Sequence, residues 1–217
     1  MNRSRAHASG RLPSRLRWLF PTMRNVLIRR SLKTIDFTGI SSVLVVGAGD
    51  DPYRRLFPNT AAYVTSDVAR RPGRTDVVAD ARALPFAEGR FDCALATEVL
   101  EYVPQPRLVA AELYRILGKG GMAVVTVPFV FQDHGDYSRL TARALGEVFH
   151  EYSSVRVYGQ GNRFHTIVDL ITTAFSPFPI LFPLRVLSNL LFLIPALGAP
   201  RDSKSTAPGG FLIVARK

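Results

Sequence analysis

Glycines and acidic residues follow the apolar runs of this sequence at positions where a ligand could bind. Gly47 and Gly49 come directly after the apolar run 43–46. Glycine lets the backbone approach a ligand closely, and we expect this turn to present its N–H groups at the start of a helix. Asp50 and Asp51 stand where dinucleotide-binding turns continue toward another glycine, and their charge would repel a pyrophosphate. The turn therefore predicts a ligand with a neutral or cationic tail rather than NAD or FAD.

Two further carboxylates follow later apolar runs. Asp67 ends the next run, about twenty residues beyond the glycine turn, where an acidic side chain can accept hydrogen bonds from ribose hydroxyls. Asp80 ends the run 77–79 and is followed by an apolar turn, 84–86, so it could accept from an adenine amino group. The alternatives are a helix N-cap for Asp67 and an ordinary turn carboxylate for Asp80.

Short apolar runs rich in valine are typical of buried parallel strands. These runs cover residues 43–46, 61–65, 77–79, 91–96 and 122–127. The spacing of apolar residues predicts helices over 105–117 and 141–150, and further strands over 154–158 and 211–215. This alternation predicts a doubly wound, mostly parallel α/β sheet, with any small-ligand site at the carboxyl ends of its strands.

These segments together resemble the class I S-adenosylmethionine-dependent methyltransferases. Residues 43–49 resemble the family's first motif, and 91–94 resemble its fourth strand. Residues 97–103 are similar to the segment that usually ends Leu-Glu-His-Val, and 115–121 to the Leu-Lys-Pro-Gly-Gly turn before strand five. The resemblance covers about residues 41–150 and the last strand. It implies a seven-stranded Rossmann-like fold with an apolar helical insertion before the last strand.

The resemblance also implies that S-adenosylmethionine is the cofactor. It assigns cofactor binding to Gly47, Ala48, Gly49, Asp67, Val68, Asp80, Ala81, Thr97 and Glu98. Two positions depart from the usual motifs of the family. The family's first motif usually has an acidic residue where this chain has Val45 or Val46, so this chain lacks that hydrogen-bonding side chain beneath the glycine turn. Tyr102 replaces the commoner histidine and is a poor base.

Residues 128–141 resemble a His/Asp-Tyr-x-Arg-x-Thr stretch found in one branch of the family. The resemblance places it beside the methyl group, with Tyr102, Tyr137 and Arg139 as acceptor-binding residues. His134 could take a proton from a hydroxyl acceptor, since imidazole titrates near neutral pH. The alternatives are a hydrogen-bonded loop histidine for His134 and an internal salt bridge from Arg139 to Asp136 or Glu147. Thr141 is predicted to cap the following helix.

The basic charge is concentrated in an N-terminal arm. Of a formal net charge of +11, residues 1–40 supply nine Lys and Arg and one Asp. One helical face of the arm carries four leucines and one methionine, namely Leu12, Leu16, Leu19, Met23 and Leu27. We expect a basic amphipathic arm over 1–40 and a catalytic domain over 41–217.

An apolar insertion is expected over residues 163–200. Two stretches of 15 uncharged residues, broken by four prolines, do not fit a membrane-spanning helix. An acceptor-site lid, an interfacial hairpin and a homodimer contact remain as alternatives. With the arm, the insertion favours an anionic membrane surface as a partner, through 11–35 and 164–198.

Cysteine use and the N-terminus indicate the compartment. Cys93 is the single cysteine, so neither an internal disulfide nor a zinc-type cluster is expected, and no metal is predicted. The first ten residues lack the apolar core of a secretory signal. We therefore expect a cytoplasmic protein, peripheral on the inner face of the membrane, with a mitochondrial transit peptide as the alternative.

The favoured function is methylation, on oxygen, of a small-molecule or lipid-linked acceptor. One alternative is an RNA methyltransferase whose arm binds phosphates, although few aromatic residues interleave with the basic ones. The other is a membrane-associated binding module that has lost turnover.

Overall fold

The computed structural model describes residues 23–131, 135–175, 183–184, 187, 191 and 207–217. Its strands are β1 (Ser42–Val46), β2 (Ala62–Asp67), β3 (Val77–Val78), β4 (Phe91–Thr97), β5 (Leu117–Pro128), β6 (Ser154–Gln160) and β7 (Gly210–Arg216). Its α-helices are α1 (Met23–Leu32), α2 (Pro106–Ile116), α3 (Ala142–Val148) and α4 (Arg163–Phe175). Two 3-10 turns span Arg54–Leu56 and Leu100–Tyr102.

The strands form one seven-stranded sheet in the order β3-β2-β1-β4-β5-β7-β6. The pairs among β3, β2, β1, β4 and β5 are parallel, and β7 runs antiparallel between β5 and β6. Every residue of β1 is buried, as expected for a strand covered on both faces. The prediction of a doubly wound, mostly parallel α/β fold is confirmed.

Helices cover the two faces of the sheet with separate apolar clusters. On one face, α2 and α3 bury residues such as Leu113 and Leu145. On the other face, Ile28 and Leu32 of α1 belong to the cluster that includes Val43 and Val45 of β1. Helix α1 is therefore part of the packed domain.

The glycine turn after β1 does not open an α-helix, so this expectation was wrong. Between β1 and β2, the regular structure is limited to the 3-10 turn Arg54–Leu56. Pro52 disfavours a right-handed helical conformation in the residue before it, and Asp51 has a φ of 43°, in the left-handed region. A regular helix cannot pass through that conformation.

Several predicted features lie outside the described residues. They are His134, the arm leucines Leu12, Leu16 and Leu19, and most of the insertion beyond α4. Within the described ranges, no helix combines the length and the apolar character needed to cross a bilayer.

The packing of α1 gives a direct test. Replacing the fully buried Leu32 with alanine should lower the free energy of unfolding by about 2–5 kcal/mol, because it leaves a cavity against the sheet. Val26 lies on the same helix but is 41% exposed, so it serves as the matched control. Val26→Ala should change the free energy of unfolding by less than about 0.5 kcal/mol. Equal effects in urea denaturation would contradict the packing of α1.

Candidate functional site

A cavity of about 380 Å³ lies at the carboxyl ends of β1–β4. Parallel strands bring their carboxyl ends to one edge of the sheet, so residues far apart in sequence meet there. The predicted site residues that line it are Gly47, Gly49, Asp67, Val68, Asp80, Ala81, Glu98 and Tyr102. The predicted residues Ala48, Thr97, Tyr137 and Arg139 are not among its lining residues.

The glycine turn provides bare backbone at the floor of the cavity. Gly47 and Gly49 have φ values of 64° and 55°, which disfavour side chains. A Cβ at Gly47 would overlap Cγ2 of Val99, which follows β4. Ala48 is buried, and its N–H donates to the carbonyl of Ser66 at 3.0 Å. Glycine at position 47 is therefore required both by the conformation and by the close approach of the β4 segment.

Asp67 ties this turn to the end of β2. One carboxylate oxygen accepts from the N–H of Gly49 at 3.0 Å, and the other accepts from that of Ala69 at 3.1 Å. The described chain between β2 and β3 contains no helix for Asp67 to cap. The carboxylate instead faces the cavity beside the glycine turn, where ribose hydroxyls could reach it.

Asp80 forms an ion pair with Arg82, which was not among the predicted site residues. Arg82 contacts both of its carboxylate oxygens, with a shortest distance of 2.6 Å from Nη2 to Oδ2. Hydrogen bonds from the Arg82 side chain and backbone lower the pKa of Asp80 to about 2. Both side chains are about two-fifths exposed, and both residues line the cavity. The Asp-x-Arg spacing was the signal that could have predicted this pair.

Glu98 lines the cavity at the end of β4, with a φ of 55°. Its carboxylate accepts from Arg24 of α1, at 3.0 Å from Nε to Oε2 and 2.5 Å from Nη2 to Oε1. Thr126 of β5 donates to Oε1 at 3.0 Å. Arg24 was not among the predicted site residues. It precedes Leu27 by three residues and Ile28 by four, a spacing that places it on the buried face of α1 and could have predicted its burial.

Glu101 is a buried acid beside the cavity for which the sequence predicted no role. Its residue is 2% exposed, and neither carboxylate oxygen has a hydrogen-bond partner. Burial, assisted by the charge of Glu98, raises the pKa of Glu101 to about 8, while Arg24 and Arg139 oppose the shift. Glu101 is therefore mostly protonated at neutral pH.

Residues 135–141, which follow β5, contact Glu101. The backbone carbonyl of Glu101 accepts from the N–H groups of Tyr137 and Ser138, at 2.6 and 3.3 Å. Arg139 forms an ion pair with Asp136, which is the internal salt bridge given above as an alternative. Thr141 caps α3, as predicted, by accepting from the N–H of Ala144 at 3.2 Å. The acceptor-binding roles of Tyr102, Tyr137 and Arg139 stay predictions.

The chemistry of the lining fits an elongated adenosyl ligand. Bare backbone at Gly47 and Gly49 is flanked by carboxylates at the ends of β2, β3 and β4. No cluster of three or more potential metal ligands occurs among the described histidines, cysteines and acids.

Comparisons with known proteins agree with this geometry. The family described as "Methyltransferase domain" matches residues 46–125. A protein of Mycobacterium sp. (strain KMS), named as an uncharacterized methyltransferase, is 36% identical over 81 residues. That match covers 37% of this chain and 29% of the relative, so the chain is matched to less than a third of that protein's length.

Solved structures share the fold at low sequence identity. A SAM-dependent methyltransferase from Archaeoglobus fulgidus superposes with a TM-score of 0.59 at 12% identity, covering 90% of this chain and 94% of that one. A phosphoethanolamine N-methyltransferase 2 of Haemonchus contortus, solved with S-adenosyl-L-methionine, has a TM-score of 0.59 at 13% identity. The alignment covers 89% of this chain and 52% of that one.

Removing the carboxylate of Asp67 should weaken cofactor binding. We expect Asp67→Ala to reduce the affinity for S-adenosylmethionine by about 1–3 kcal/mol, since it removes a charged hydrogen-bond acceptor and frees the glycine turn. Isothermal titration calorimetry measures the change, with the exposed Asp36→Ala as control. Unchanged affinity in Asp67→Ala would show that this acid does not bind the ribose.

The buried Glu101 predicts a pH-dependent stability. Its folded-state pKa of about 8 lies above the ordinary value of 4.5, so between these pH values the folded protein keeps a proton that the unfolded chain releases. The free energy of unfolding therefore falls as pH rises from 4.5 to 8. Glu101→Gln should match the wild type at pH 5 and exceed its unfolding free energy by on the order of 2–4 kcal/mol at pH 8.5. Urea denaturation at both values tests this, and an equal difference at both pH values would contradict it.

Proposed function

We propose that this chain, whose residues 46–125 match the methyltransferase-domain family, methylates a hydroxyl group of a small-molecule or lipid-linked acceptor at an anionic membrane surface. The observation that supports this surface is the exposed apolar pair Ile167 and Leu170 on α4, which lies next to the cationic helix α1. The cavity supports the cofactor half of the proposal, and this apolar pair supports the location of the acceptor.

The lining residues fit the cofactor. Asp67 would accept from the ribose hydroxyls, and Asp80 from the adenine amino group once Arg82 shifts or shares the carboxylate. Gly47 and Gly49 would admit the chain between adenosine and the amino acid. The bound cofactor supplies a methyl group already activated by its sulfonium, so the protein contributes mainly alignment.

The acceptor is proposed to enter from the side of Tyr102 and the loop after β5. Tyr102 is partly exposed and lines the cavity. His134 is proposed to take the hydroxyl proton as the acceptor oxygen attacks, a role that rests on its sequence position. The ion pair between Asp136 and Arg139 would hold this loop against Glu101.

The outer faces of α1 and α4 form the proposed membrane-binding surface. Ile167 and Leu170 are exposed on α4, although a water-facing helix usually places polar residues there. The acid of this helix, Asp169, is buried, and burial lowers the pKa of His165, so the exposed charge on α4 is that of the basic Arg163. Leu184, Leu187 and Leu191, in the described part of the insertion, are also exposed.

Charge favours an anionic lipid as the partner. Arg29, Arg30 and Lys33 are exposed at the end of α1 and just beyond it, and α1 contains no acid. Its backbone contacts α4 directly, because the N–H of Arg24 donates to Asp169 at 3.1 Å. A basic residue near an anionic surface contributes roughly 1 kcal/mol to attraction, and the apolar pair would add burial in the interface.

Vesicle flotation tests the proposed surface. The full chain should float with phosphatidylglycerol vesicles, float weakly with phosphatidylcholine vesicles, and be released by salt. Leu170→Glu should abolish most of the flotation. Leu108→Glu, which changes a leucine of similar exposure on α2, should not. Equal loss in both variants, or binding of RNA but not of vesicles, would contradict the proposal.

Transfer of a radiolabelled methyl group tests the reaction. The full protein, incubated with labelled S-adenosylmethionine and total membrane lipid, should place the label in the organic extract. Label incorporated in a parallel reaction with total RNA in place of lipid would support an RNA methyltransferase. Cofactor binding with no labelled product from lipid or from a small-molecule extract would support a binding module.

A further inference from the structure

We propose that Arg24, on the N-terminal helix α1, is a positioning residue of the cofactor site. It fixes the carboxylate of Glu98 so that this group receives the ammonium of the methionyl part of the cofactor. The inference rests on the cofactor of the family and is independent of the acceptor and of the membrane.

The strand order sets the direction in which the cofactor lies. Asp80 follows β3, Asp67 ends β2, Gly47 follows β1 and Glu98 follows β4, and these strands are neighbours in the sheet. With adenine at Asp80 and ribose at Asp67, the rest of the molecule must extend over β1 toward β4. Glu98 is the carboxylate that lines that end of the cavity. A cationic ammonium arriving there meets this acid.

Glu98 has hydrogen-bonding capacity left for a ligand. Within the described part of the chain, Oε1 accepts from both Arg24 and Thr126, whereas Oε2 accepts from Arg24 alone. A carboxylate oxygen can accept two hydrogen bonds. The Glu98 side chain is 24% exposed, and this exposed part faces the cavity that the residue lines. Oε2 is therefore available to a donor in the cavity.

Arg24 is built into the protein in a way that fixes its guanidinium. The residue is 3% exposed, and Nη1 donates to Oε1 of Gln160 at 2.6 Å. A Cβ at position 210 would overlap this guanidinium, so Gly210 makes room for it. Gln160 in turn donates to the hydroxyl of Ser31 at 2.5 Å, which ties the network back to α1.

This network gives Glu98 one orientation. The paired hydrogen bonds from a planar guanidinium restrict both the position and the plane of the carboxylate. A lysine could supply the charge but not the paired geometry. Helix α1 therefore completes the cofactor site from outside the matched region, which begins at residue 46.

Calorimetry with three ligands tests the inference. The ligands are S-adenosylmethionine, S-adenosylhomocysteine and 5′-methylthioadenosine, which lacks the amino-acid part. Arg24→Met and Glu98→Gln should each weaken the first two ligands by about tenfold to a hundredfold. Both variants should bind 5′-methylthioadenosine as the wild type does. Arg24→Lys should recover part of the loss.

A double-mutant cycle separates positioning from general stability. If Arg24 acts through Glu98, the double variant should lose no more affinity than the stronger single variant. The exposed Arg143→Met on α3 is the control and should leave all three affinities unchanged. Equal weakening of all three ligands would show a merely structural role. Loss confined to S-adenosylmethionine would assign Glu98 to the sulfonium, and additive losses would show that Arg24 acts separately; each result overturns the proposal.

Discussion

The buried contact between Arg24 and Glu98 joins two parts of the chain on which the candidate site depends. Glu98 adopts a left-handed backbone conformation at the end of β4, which costs free energy for a residue with a side chain. Arg24, Thr126 and the backbone of β5 hold it there, since the N–H of Glu98 also donates to the carbonyl of Thr126 at 2.9 Å. Breaking the ion pair would leave a buried guanidinium without its carboxylate, a costly state. The site and the N-terminal helix are therefore coupled in stability.

The same helix has two different faces with two different chemistries. Its inner face carries Arg24 and the apolar residues that pack on the sheet, while its outer face carries Arg29 and Arg30. Under the proposed function, one element therefore links a membrane surface with the cofactor cavity. The absence of a regular helix between β1 and β2 adds to the importance of α1, because α1 supplies the helical cover over β1 on that face.

The sequence predicted what local patterns and strand ends determine. Valine-rich runs located the strands, and the convergence of parallel strand ends brought Asp67, Asp80 and Glu98 to one rim. Long-range packing was not predictable in the same way. The partner of Glu98 lies 74 residues away on another element, and the burial of Glu101 depends on a loop that arrives after β5. The glycine turn predicted a helix start after β1, whereas Pro52 and the left-handed backbone of Asp51 prevent a regular helix there.

A crystal structure of the full protein with S-adenosylhomocysteine would test the proposed cofactor site most directly. We expect the ribose hydroxyls within hydrogen-bond distance of Asp67, the adenine beside Asp80, and the amino group on Oε2 of Glu98 with Arg24 in place. A ligand bound outside this cavity, or one whose amino group points away from Glu98 while the adenosine occupies its expected position, would contradict it.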